Sequence, residues 1–61
     1  METKTLAQLR RERHMSQKVF GETIGLSGSS IAMYEIGART PTLNTAKKIA
    51  RFFAVPVESI I

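Results

Sequence analysis

Cysteine and aspartate are both absent from this 61-residue chain, and histidine occurs once, at His14. Without cysteine no disulfide or thiolate metal site can staple the fold, so tight helix packing or dimerisation has to compensate. The same inventory is too thin for a carboxylate-histidine triad or a multi-histidine metal site, which argues against an enzyme and against a cofactor. His14 reads as a helix-end residue, and Ser27, Ser29 and Ser30 as capping and phosphate-contacting groups, not nucleophiles. Long apolar runs are missing too. Nothing approaches the roughly 18 residues that cross a bilayer, and the start METKTLAQLRRERH lacks the apolar centre of a signal peptide. The expectation is a soluble, cytoplasmic chain with no membrane partner and no small-molecule ligand.

What the chain does contain is positive charge: nine Lys and Arg against five Glu, a formal net charge of +4. Polyanions are the natural partners of such a surface, although a solvated basic face explains the charge equally well. Sixty-one residues allow one small domain, and burial of about 60% of the surface at this size leaves a thin core.

Capping residues and hydrophobic spacing predict an all-α domain of five helices, with no repeat or linker. The first runs from Lys4 or Thr5 to about His14, with Leu6, Leu9 and Arg10 inward and Arg13 and His14 in its last turn. Ser16 caps a second over Gln17 to Ile24, and Gly25 supplies a left-handed turn. Gly21 lies inside that helix at a cost of about 1 kcal/mol relative to Ala, at a point where the next helix has to come close. Ser27 caps a third helix from Gly28 to about Ile36. Ile31, Tyr34 and Glu35 share one face of it, and Ser29, Ala32, Met33 and Ile36 the other. Thr42 caps a fourth through about Phe53, with Leu43, Ala46, Ile49, Ala50 and Phe53 in an apolar stripe and Phe52 on the far side. Ala54 falls where glycine suits a helix end better. A fifth helix or turn, Val57 to Ile61, closes the chain.

The linker Gly25-Leu26-Ser27 is too short for antiparallel neighbours, so the second and third helices cross steeply and the third protrudes. Such a helix fits a DNA major groove, whose width matches one helix with its side chains. Helix starts at Gln17, Gly28 and Leu43 present free N–H groups suited to phosphate, and Lys18, Arg39 and Lys47 supply cations nearby.

Leu6, Leu9 and Arg10, Ser16-Gln17, Phe20-Gly21, Ile24-Gly25-Leu26-Ser27, Ile31, Tyr34-Glu35, Gly37, Arg39 and Pro41, and Leu43, Ile49-Ala50 and Val55 together resemble the lambda-repressor and Cro family of helix-turn-helix domains, the XRE type. The resemblance spans almost the whole chain. It implies a compact five-helix domain over residues 1–61 that binds operator-like double-stranded DNA, usually as a two-fold dimer, and regulates transcription, with repression favoured. It implies a phosphate or base contact for Gln17, base reading from Gly28, Ser29 and Met33, and phosphate anchoring by Ser30, Arg39 and the N–H groups behind Thr42. It also implies an ion pair between Arg10 and Glu35, two charges on inward helix faces that pairing would relieve.

The outer face of the third helix has no Arg, Lys, Asn or Gln for bidentate base pairing. Ser29 offers one hydrogen bond, and Ala32 and Met33 suit a thymine methyl. A protein-interaction module on the same scaffold is the alternative, using Met33, Ile36 or Phe52 against a partner. Phe52, Val57, Ile60 and Ile61 are the candidate contacts of a weak homodimer.

Overall fold

The computed structural model describes residues 3–60. Thr5 opens helix α1 (Leu6–Glu12) through a reciprocal cap: its hydroxyl accepts the Gln8 backbone N–H while the Gln8 side chain accepts that of Thr5. Arg13 ends the helix, and His14, expected in its last turn, lies beyond it at φ 57°. Ser16 caps α2 (Gln17–Ile24) through the Val19 N–H. Gly25 follows at φ 79°, a conformation that L side chains rarely adopt. Ser27 caps α3 (Gly28–Glu35) and Thr42 caps α4 (Leu43–Phe53), each by accepting the N–H of the third helical residue.

The expected fifth helix is not formed. Pro56 sets the chain into a single 3₁₀ turn, Val57–Ser59, so the described residues form four α-helices and that turn. Main-chain pairing with the N-terminal segment holds it in that form. Lys4 N–H donates to Ser59 O at 2.9 Å, and Lys4 and Ile60 form an isolated parallel bridge. The N-terminal and C-terminal segments are thereby tied together.

Leu6, Leu9, Phe20, Ile24, Ile31, Ile49 and Phe53 form the core, with Met15, Leu26, Tyr34, Phe52, Val55 and Ile60 packed against it. Phe20 and Ile31 are fully enclosed, so the core is centred between α2 and α3 and closed by α1 and α4. One apolar residue departs from its expected inward role: Leu43, at the start of the α4 stripe, is 64% exposed. Leu43 lies one turn before the part of α4 that reaches the core, and no neighbour covers it there. Phe52 departs the other way. It is half-buried, its ring 5.5 Å from Phe20 and 5.1 Å from Phe53, with the Arg13 guanidinium 5.5 Å above it. Phe52 therefore completes an aromatic cluster and is not a free surface aromatic.

Candidate nucleic-acid interface

The α2–α3 crossing is set by glycine. A Cβ on Gly21 would stand 2.7 Å from Leu26 O and 2.9 Å from Ser27 C, so the turn can approach α2 only because Gly21 has no side chain. Gly28 makes a second close approach: its Cβ would meet Lys18 Cα at 3.0 Å. The first residue of α3 is thus packed against the first residues of α2, and two helix starts lie side by side. The family resemblance implies base reading from Gly28. The residue is half-buried and its missing side chain points at α2, which leaves its N–H as the group it can offer.

Each cap satisfies the third N–H of its helix, so the N–H groups of residues 17–18, 28–29 and 43–44 project from the ends of α2, α3 and α4 without an intrahelical acceptor. The hydroxyls of Ser27 and Thr42 are occupied in capping. They also donate to Ser30 Oγ at 3.0 Å and Thr45 Oγ1 at 3.1 Å. Ser30 is half-buried and Ser29 is exposed.

Arg10 and Glu35 pair beneath this surface. Arg10 Nε donates to Glu35 Oε2 at 2.7 Å and Nη2 to Oε1 at 3.2 Å, with the two side chains only 10% and 7% exposed. A further Arg10 donor, Nη1, reaches Met15 O at 2.8 Å, tying the α1–α2 turn into the same cluster. The hydrogen bond to Glu35 raises the Arg10 pKa, against burial and with help from the carboxylate charge. Burial pushes the Glu35 carboxyl up, but hydrogen bonds from Arg10 and Gln17 and the Arg10 and Arg11 charges hold it below its ordinary value.

Gln17 is the member of the cluster that sequence reasoning missed. Its Nε2 donates to Glu35 Oε1 at 3.0 Å, so the side chain expected on DNA is anchored to α3, with one amide N–H still uncommitted. The available signal was Glu35 itself, a carboxylate on an inward face with more acceptor sites than Arg10 alone fills.

Among the described residues Lys18, Arg39 and Lys47 are exposed and make no ion pair, whereas Lys48 Nζ donates to Ile24 O at 3.3 Å, at the end of α2. The Ala38 and Arg39 N–H groups donate to Met33 O at 3.0 and 3.3 Å, folding the loop back on α3. The structure thus brings together Gln17, Lys18 and Gly28, and joins Arg39 to the far end of α3. No hydrogen bond or ion pair among the described residues links Thr42 or Lys47 to α2 or α3. On the outer face of α3, Ala32 is half-buried, Met33 is 37% exposed and Ile36 is 76% exposed.

Two crossed helices joined at a left-handed glycine, the second with an uncovered outer face, form a helix-turn-helix, and the family of that name matches residues 6–60. The chain belongs to the XRE-type helix-turn-helix family. It is 32% identical over 56 residues to the cryptic phage CTXphi transcriptional repressor RstR of Vibrio cholerae. That match covers 92% of this chain and 50% of the relative, so the chain spans about half the length of the curated relative it matches. No solved structure matches it. No helix among the described residues is long and apolar enough to cross a membrane, and none of their His and Glu side chains cluster in a group that could hold a metal.

Of the residues expected at a dimer contact, Phe52 belongs to the aromatic cluster, Ile60 is half-buried against the core, and Val57 is 36% exposed. Ile61 lies outside the described residues.

Proposed function

We propose that this domain binds double-stranded DNA with α3 in the major groove and acts as a transcriptional regulator, repression being the favoured direction. One observation carries the reading. The uncovered face of α3 is bordered by two abutting helix starts with open N–H groups and by Lys18 and Arg39, whose charges no carboxylate among the described residues neutralises. Phosphates on both sides of a groove satisfy that pattern. The pairing of Glu35 with Arg10 supports it, because a bare carboxylate beside Gln17 would repel a phosphate. Gln17, Lys18, Ser30, Arg39, Lys47 and the N–H groups behind Thr42 supply backbone contacts in this reading, and Ser29, Ala32 and Met33 face the bases. The name of the matched relative, a transcriptional repressor, points the same way.

A two-fold homodimer belongs to the same proposal. Val57 and Ile60 border an apolar groove of about 290 Å³ with Tyr34, Pro41, Ala46 and Ile49, and a second copy sharing that side would set two α3 helices on half-sites about one helical turn apart. Titration against random duplexes at two salt concentrations tests the whole. Binding with a steep salt dependence and an enriched palindrome is expected. Absence of binding at low salt would favour the second reading, a protein-interaction surface built on exposed Met33 and Ile36.

A further inference from the structure

The outer face of α3 combines two properties that seldom serve one partner. Met33 and Ile36, three residues apart, expose large apolar side chains, while Arg39, whose N–H donates to Met33 O, and Lys18, beside Gly28 at the other end of α3, carry charges held in no ion pair among the described residues. An apolar protein partner would leave the cations uncompensated, and an acidic one would leave Ile36 in water. A duplex major groove answers both, because phosphates line its rims and the thymine C5 methyl is the apolar group presented on its base edges. The residue best equipped to read a base by hydrogen bonds, Gln17, has its amide held by Glu35, and the α3 face adds no Arg, Lys, Asn or Gln.

We propose that this protein selects its DNA chiefly by the position of thymine methyl groups, with Met33 and Ile36 each covering one methyl and Ala32 beside them on the same face. The proposal rests on the DNA-binding reading and sharpens it. Specificity then comes from apolar burial at a few thymines, and affinity from the phosphates. Uracil at those positions leaves the same side chains without their apolar partner and is discriminated against modestly, because no polar group is added.

The test removes the methyls from the DNA, which leaves the protein untouched. A duplex pool with a random core is selected against the 61-residue chain at low salt. The enriched duplex is then remade with uracil at single thymine positions. The expected result is an enriched sequence containing thymine, with binding weakened roughly three- to four-fold for each contacted methyl removed, the value of one buried methyl-sized group. Met33→Ala abolishes the difference at one thymine and Ile36→Ala at another, both variants melting like the parent because neither side chain lies in the core. Equal affinity for thymine and uracil duplexes would overturn the methyl assignment and leave DNA binding standing. So would methyl dependence surviving in both variants, or enrichment of a core without thymine. Failure of the whole pool to bind would overturn this inference together with the reading beneath it.

Discussion

Glu35 accepts hydrogen bonds from two residues on two other helices, Arg10 at 2.7 Å and Gln17 at 3.0 Å. Its removal strands a guanidinium that is only 10% exposed. Breaking a buried pair on one side costs roughly 3–5 kcal/mol, comparable to the entire stability of a domain this small. Glu35→Gln keeps the shape and loses the charge. Urea titration at pH 7 followed by circular dichroism should therefore find that variant largely unfolded or destabilised by roughly 3 kcal/mol. A pH dependence follows with a definite sign. The folded Glu35 carboxyl lies below its ordinary value of 4.5, so its contribution is fully present above that pH and is lost as pH falls through the lowered folded value. Denaturation curves of parent and Glu35→Gln should converge as pH drops below about 4.5. A constant gap between them down to pH 2 would contradict the assignment.

At the scale of elements, two small residues act in opposite senses. Ala54 ends α4 in the left-handed region at φ 57°, where a Cβ costs roughly 1–2 kcal/mol. Ala54→Gly releases that strain, less the extra entropy of glycine in the unfolded chain, for a net gain of about 0.5–1 kcal/mol. Thermal melts should show a rise of several degrees. Gly21→Ala has the favourable helix propensity and the wrong surroundings: its Cβ would meet backbone atoms of the turn at 2.7–3.0 Å, and backbone cannot rotate away as a side chain can. That variant should melt lower despite the roughly 1 kcal/mol that alanine gains over glycine inside a helix. The starts of α2, α3 and α4 were legible beforehand because Ser16, Ser27 and Thr42 act through hydrogen bonds within three residues. The last segment was not. Its apolar residues are compatible with helix or turn, and what decides between them is a tie to Lys4, at the other end of the chain.

For the whole molecule, the net charge of +4 is unevenly available. Lys4 is paired with Glu12 and Arg10 with Glu35, while Lys48 donates to the end of α2. Lys48 keeps its charge but is tethered at the Ile24 carbonyl, whereas Lys18, Arg39 and Lys47 make no ion pair among the described residues. If they meet phosphates, Arg39→Ala should lower duplex affinity across all sequences and reduce the slope of log affinity against log salt by about 1. Lys48→Ala should leave that slope nearly unchanged, and binding measured between low and moderate salt reads both. Equal losses from the two variants would mean that diffuse charge, not a defined face, holds the DNA.

The sequence by itself determined the starts of α2, α3 and α4, the left-handed hinge at Gly25 and the class of the domain, because caps, turn glycines and hydrophobic spacing act over a few residues. Only the tertiary structure decided that Gln17 is held by Glu35, that Gly28 turns toward α2, that Leu43 stands in solvent and that Phe52 joins the aromatic cluster. Periodicity tells which side chains share a face of one helix. Whether that face is covered, and by what, depends on partners far away in the chain, and the chemistry left free on α3 depends on it in turn.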